Sequence, residues 1–573
     1  MGIFVVLTGP RADAQAKKLD KTFSIAGFKS FKDISHDNYR LLLYGKLNQS
    51  PVNFQAFENG DFITHTGTFL YKGDIGTSAL SNYYNAFDPN RVSWDDTNGH
   101  FGLILSKANT LHLTNDAIDA YAVYRNQDGT VYSNSFLAVL ECVDKPRIDT
   151  QGCYEYAWSE SVFGGKTFVK NIERVPPNTL ISISRKIEEI PQPAPIHVSS
   201  TTDDISFEDA VTEHSQRLQA LFSKYATNFK GRLRTALSGG YDSRLILGHL
   251  LDAGVTPDLF VFGRDDDPDV RVALTIAKGE NIPIEHIDKG GTPPPPPEEF
   301  AETVERNFIA FDGWKFSGIF DHGADLSDRL FRSQSNTVMM NGSVGEIYRN
   351  FYYLPDKTHT DRDIAQAFYA RYSPAACTSK FLVRDFEDGL MEAMRSSLQV
   401  ASGEFSRSQV EALYPLFRGR YWSSRDISIN QRFGWMLFPF LEPDIVQDTP
   451  NIPLRYKNSG RFEAALIHKI HPRLAAYPSV YGHGFHEPPS LGHRFSDLTS
   501  SHRPMWLRKN MYRLKTRHPE PRPIYLTDAY LKNIFDVKFP IMKDYFHINK
   551  IFSSEVFNRI STMEYIFQKY NIN

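Results

Sequence analysis

The segment Gly231–Gly254, GRLRTALSGGYDSRLILGHLLDAG, constrains this chain most tightly. A short run alternating apolar and polar residues, RLRTAL, enters Ser238-Gly239-Gly240-Tyr241-Asp242-Ser243. An apolar pattern of helical period follows and stops at Gly254. Such a pattern demands strand, tight turn, helix. In that setting small residues let backbone N–H groups converge at the positive end of a helix dipole, and the Ser238 and Ser243 hydroxyls add donors, so the loop is built like a cradle for phosphate or pyrophosphate. Asp242 is placed where a carboxylate would hold Mg²⁺ against that phosphate. The plainer alternative is a turn that needs glycine, with serine capping the helix; the complete hexamer between a strand and a helix favours the cradle.

The same alternation continues downstream with the strand DLFVFG, the helix DVRVALTIAKGENI and the strand IEHI. Strand and helix in turn predict a doubly wound parallel sheet with its ligand at the carboxyl ends of the strands. Upstream, short runs such as IFVVLTG, RLLLYG, FITHTGTFLY and GHFGLILS are divided by turn signals and predict a β-rich domain. A polar, Pro-containing stretch over 186–204 separates the two patterns and reads as a linker. The segment TPPPPPEE, from Thr292, reads as a stiff polyproline connector or as a proline-rich ligand for a partner domain.

At 573 residues the chain exceeds a single core, so two domains are expected. A net charge of -3 offers no bulk attraction to nucleic acid. Cys142, Cys153 and Cys377 match neither a zinc site nor a disulfide framework, and a reducing, cytoplasmic setting is expected. No secretory signal and no membrane span are read, and Gly2 without Ser or Thr at position 6 is weak grounds for myristoylation.

The hexamer resembles the SGGxDS signature of the PP-loop ATP pyrophosphatases, and its surroundings resemble the asparagine synthetase family. FVFGRDDDPDVRVALTIAKGENIPIEHI is similar to the family's second strand-helix-strand unit, and RFGWMLFPFLEPDIVQDTPNIPLRYK to its Arg-x-Pro-Phe-Leu-Asp region, with Glu442 in place of the Asp. The resemblance runs through the chain in order, strongest over 230–290. It implies an Ntn-hydrolase-like, glutaminase-type sandwich over 1–185, the linker 186–204, an α/β ATP-binding domain over 205–500, and a helical C-terminal extension over 501–573. By position, Ser238, Gly239, Gly240, Asp242 and Ser243 would embrace the phosphates of ATP, Asp242 would ligate Mg²⁺, and backbone around Leu237, Val261 and Gly263 would receive adenine. The chemistry implied is attack of a substrate carboxylate on the α-phosphorus, loss of pyrophosphate, and displacement of AMP by an amine.

Departures from the family redirect that expectation. Glutamine-dependent members open on a catalytic Cys after Met1, and this chain has Gly2, so the usual acyl-enzyme is excluded and the first domain reads as structural or docking. Thr66-Gly67 stands for the Asn-Gly oxyanion segment. The GxGSDE loop matches Asn341–Glu346, with Gly345 for the metal-binding Asp; Glu346 either ligates the metal instead or caps a helix IYRNFYYL. Where the family has a lysine near Phe485, His483 is the titratable candidate, against the plainer reading of a hydrogen-bonded surface histidine. The expectation is an ATP- and Mg²⁺-dependent ligase joining a small-molecule or peptide carboxylate to ammonia or an amine, with a homodimer left open. The alternatives are an impaired ATP-binding or scaffolding protein and an intramolecular cyclase similar to β-lactam synthetases or lasso-peptide cyclases. A basic stretch over 501–523 reads as a solvated helix or a surface for an acidic partner, and the aromatic tail as packing helices.

Overall fold

The computed structural model describes residues 1–48, 53–202, 204–288, 290, 293–334, 336–515 and 518–572, the side chains of 513–515 excepted. Among these the chain is mixed α/β. Two six-stranded antiparallel sheets come first. One centres on Ile3–Leu7, between Val131–Ser133 and Tyr39–Tyr44. The other centres on Thr110–Asn115, Phe101–Lys107 and Phe62–Gly67.

Successive side chains of a strand point to opposite faces, which explains the four layers. Phe4, Val6, Leu41 and Leu43 of the first sheet meet Ile104, Leu113, Ile181 and Ile183 of the second. Ile3, Val5 and Leu42 turn outward onto Ala16, Leu19 and Phe23 of the helix Ala12–Ile25. Ile63, Leu103 and Leu180 turn the other way onto Ala79, Leu80 and Tyr83 of the helix Gly76–Ala86. Strands covered on both faces must be apolar throughout, hence the uninterrupted run IFVVL. The strand Ile187–Pro191, inside the stretch read as a linker, pairs with Thr179–Ile183 and completes the second sheet.

The third sheet is parallel. Its order is Ile284–Ile287, Asp258–Phe262, Leu233–Ala236, Val338–Met340, Trp435–Leu437. Chain order therefore runs outward in one direction from Leu233–Ala236 and then reverses to the other side. A crevice opens at such a reversal, outside the carboxyl ends of the two strands that flank it. Here those ends lead into the loop at Ser238 and the loop at Asn341.

The carboxyl-terminal residues are not an appendage. Phe557, Ile560, Met563, Ile566 and Phe567 of the helix Ser554–Lys569 are buried, and Arg559 donates to Ala157 O at 3.0 Å. The tail is core, as its aromatic spacing predicts. The basic helix Met505–Lys515 is not freely solvated, because Arg508 donates to Tyr352 O at 3.0 Å and Lys509 to Glu387 at 2.6 Å. Arg517 and the side chains of Arg513 and Lys515, also part of that reading, lie outside the described residues, as does Thr292. No described helix is long and apolar enough to cross a membrane.

Candidate functional site

The hexamer forms the turn between Leu233–Ala236 and the helix Tyr241–Asp252, for which Gly240 is the N-cap. Its polar groups are closely organised. Ser243 Oγ accepts from Ser238 N at 3.0 Å and lies 3.1 Å from Ser238 Oγ, which accepts from Gly240 N at 3.2 Å. Gly239 N donates to Asp269 Oδ1 at 2.8 Å. A carboxylate therefore already rests on a loop amide, as a group of the kind the cradle attracts. Gly239 is required by space as well, since a Cβ there would overlap Val480.

Beside the loop lies a cavity of about 360 Å³, within the ordinary range of about 300–1,000 Å³ for ligand sites. Ser238, Asp242, Ser243 and Glu346 line it, with Phe260, Phe262, Arg332 and Met340. Of the residues singled out for adenine, none lines this cavity. Strand alternation turns Phe260 and Phe262 inward and buries Val261 on the opposite face. Leu237 N is bonded to Phe260 O and Gly263 N to Ile287 O, so those donors serve the sheet. Phe260 and Phe262 line the cavity where the resemblance implied backbone groups around Leu237, Val261 and Gly263. His483 is also displaced: it is buried behind Tyr481, its Nδ1 3.1 Å from Tyr481 O, with the His493 ring 5.4 Å away.

The Asn341–Glu346 loop packs on the start of the same helix. Val344 has φ 73°, a left-handed conformation that a β-branched residue avoids and that surrounding contacts must enforce. Gly345 is thereby pressed against Asp242, whose Oδ1 a Cβ at Gly345 would overlap. Gly345–Tyr348 is a single 3₁₀ turn, not the start of a helix over IYRNFYYL. The left-handed residue at its entry tightens the chain instead of extending it.

That turn delivers Arg349, which sequence reasoning missed. Its Nη2 donates to both oxygens of Asp242, at 3.0 and 3.1 Å. Its Nε lies 3.0 Å from Glu463, its Nη2 3.7 Å from Glu346, and Tyr481 OH accepts from Nη1 at 3.3 Å. Tyr414 OH donates to Glu346 at 2.6 Å. Burial raises the Asp242 carboxyl above its usual range, opposed by Arg349 and reinforced by Glu346. Burial, then Asp242, pushes Glu463 well above its own. Burial works against charge on Arg349, yet Asp242, Glu463 and Glu346 together hold it firmly protonated. Glu463 lies on the distant helix Arg461–Ile470, and nothing in its local sequence announces it. Arg332, which pairs with Asp328 at 2.9 Å and faces Phe262, was equally silent.

The corresponding centre of the first sheets is closed. Gly2 N donates to Tyr44 O at 3.0 Å, and a Cβ on Gly2 would lie 2.8 Å from Gly45 O. Lys46 Nζ donates to Gln431 O at 2.6 Å and Gly434 O at 2.9 Å, and burial lowers it to about 7. Gly67, at φ 81°, and Gly99, at φ 94°, each pass so close to neighbouring backbone that a Cβ would overlap it. Thr68 donates to Gln431 at 3.0 Å, and Gly99 N donates to Glu442 at 3.0 Å. Glu442, aligned by resemblance with a motif residue, is thus spent on joining the two parts, with Tyr225 OH 2.6 Å away.

For ATP, the fit is sound at the level of the cavity, its phenyl rings and the start of the helix Tyr241–Asp252, although Ser238 N, Gly239 N and Gly240 N already donate within the protein. For a cation held by Asp242 and Glu346 it is not. Both Asp242 oxygens already accept from Arg349, one Glu346 oxygen accepts from Tyr414, and no group of three or more His, Cys, Asp or Glu among the described residues is arranged to hold a metal.

No family model and no curated protein matches the chain. Solved structures that it is similar to include one titled as the allosteric regulatory enzyme of purine biosynthesis, at 9% identity and a TM-score of 0.23. Another is the glutamine phosphoribosylpyrophosphate amidotransferase from B. subtilis complexed with ADP and GMP, at 10% identity and a TM-score of 0.21. Each match covers 50% of this chain and 65% of the other. The chain thus spans less than two thirds of their length, and at these scores the likeness carries no argument about the site.

Proposed function

We propose that this chain is an ATP-dependent, amide-forming ligase of the asparagine-synthetase type, acting on a carboxylate with ammonia or an amine as the nitrogen source. The observation that carries the reading is the Ser238–Ser243 turn: a serine- and glycine-rich loop at a helix N-terminus, at the reversal point of a parallel sheet, opening on a cavity floored by Phe260 and Phe262. Triphosphate would lie on the N–H groups at the start of the helix Tyr241–Asp252 and the two serine hydroxyls, with the base against the phenyl rings. The substrate carboxylate oxygen attacks the α-phosphorus, the bond from that phosphorus to the bridging oxygen breaks, and pyrophosphate departs. The amine then adds to the acyl carbon, loses a proton, and AMP leaves. Donors aimed at the departing pyrophosphate supply most of what such a site contributes, and Arg332 lines the same cavity over the phenyl rings.

Glutamine is not part of this reading, because position 2 has neither a nucleophile nor room for one. The reading is tested by ATP–pyrophosphate exchange against a panel of carboxylates. Exchange that depends on one carboxylate and is lost in Ser238→Ala/Ser243→Ala supports it.

A second reading, a nucleotide-binding scaffold without chemistry, is favoured by two observations. Asp269 already satisfies Gly239 N, and His483 stands away from the cavity. Measurable ATP binding with no exchange for any carboxylate would choose it.

A further inference from the structure

The charges around Asp242 do not match a site for a protein-held divalent cation. Three carboxylates, those of Asp242, Glu346 and Glu463, converge there, and Glu463 has no solvent exposure. Such a group needs a positive partner. In this chain the partner is covalently present: the Arg349 guanidinium binds Asp242 through two N–H···O contacts and stands within 3.0 Å of Glu463 and 3.7 Å of Glu346. A planar guanidinium matches a carboxylate fork as a point cation does not. A metal on Asp242 would have to displace both contacts and leave the Arg349 guanidinium without that carboxylate. Position 345 closes the alternative route. Any side chain there, a carboxylate included, would overlap Asp242.

We propose that Arg349 is a positioning residue that takes the place of a divalent cation at Asp242, so that the chain binds no such cation of its own there and meets ATP phosphates without one. The part that concerns ATP rests on the nucleotide reading above; the part that concerns the cation does not. Arg349 also explains the strained turn before it. Val344 at φ 73° and the side-chain-free Gly345 bring the chain round closely enough for position 349 to face position 242.

The first arm of the test is Mn²⁺ binding to the full-length protein without nucleotide, read from the loss of the free-ion electron paramagnetic resonance signal. The wild type is expected to bind no stoichiometric Mn²⁺. Arg349→Met is expected to gain one equivalent and to melt at a higher temperature when Mn²⁺ is added, and the Asp242→Asn/Arg349→Met double variant to lose both effects. One equivalent on the wild type that Asp242→Asn removes would overturn the proposal, and so would a folded Arg349→Met that gains none. If Arg349→Met does not fold, the wild type against Asp242→Asn still decides. The second arm is ATP affinity in EDTA and in excess Mg²⁺. Values within about twofold are expected, and a loss beyond about tenfold in EDTA would contradict the proposal. Absence of ATP binding under both conditions would sink the nucleotide reading and leave Mn²⁺ binding to judge the cation.

Discussion

The antiparallel sandwich and the parallel sheet each bring glycine turns and polar groups to one place, yet they use them in opposite ways. At the centre of the sandwich, Lys46, Thr68 and Gly99 are taken up by Gln431, Gly434 and Glu442 from the other part of the chain. At the end of the parallel sheet, Ser238, Ser243 and Asp242 face an open cavity. Polar groups that have become an internal joint act on stability, whereas those beside a cavity act on ligands. Nearby, the joint is reinforced by Asp312. It is fully buried, 3.1 Å from both Arg425 and Arg432, and accepts from Phe136 N and Leu137 N at the start of the helix Phe136–Cys142.

The contrast can be broken most directly at that carboxylate. Asp312→Ala leaves two buried guanidinium groups without their carboxylate and two amides at a helix start without an acceptor, so a loss of about 3–5 kcal/mol is expected in chemical denaturation. A loss below about 1 kcal/mol would mean that the two parts do not depend on this joint.

Lys46 sharpens the comparison through pH. Burial lowers its folded pKa to about 7 from the ordinary 10.5, so between those values the unfolded chain holds more protons than the folded one. Stability must then rise with pH through that window, by up to about 1.4 kcal/mol per unit. Below about pH 7 the full penalty of burying the charged amine is present. Lys46→Met should flatten the rise, measured as the difference in melting temperature between variant and wild type from pH 7 to 10. Parallel curves would show Lys46 ordinary in its titration, and the sandwich centre wetter than described.

The smallest expected change in stability lies at the cavity. Ser238→Ala should alter unfolding by less than about 0.5 kcal/mol, while removing a hydroxyl beside a charged ligand should weaken ATP binding by roughly tenfold. Equal effects on both quantities would erase the distinction between joint and site.

Much of the second part was readable from local pattern. The run Gly231–Gly254 contains its own strand, turn and stop, and its realised elements are Leu233–Ala236 and Tyr241–Asp252. Local rules were also enough to make the tail core. They failed where a distant neighbour decided the outcome. IYRNFYYL has helical composition, but the packing of Gly345 on Asp242 turns it into a single 3₁₀ turn. Basic residues at 508 and 509 look solvated until Tyr352 and Glu387 are found beneath them.

By itself, then, the sequence determined the strand and helix on either side of Ser238, that the loop there would sit at a helix N-terminus, and that position 2 carries no nucleophile, because each of these depends on residues within a turn or two. Tertiary structure alone decided which polar groups share a space. Arg349 meets Glu463, Glu442 meets Gly99, and Asp312 meets Arg425 across long stretches of chain. Charge pairing falls off within a few ångströms, and no spacing along the chain reports distances set by the packing of whole sheets and helices.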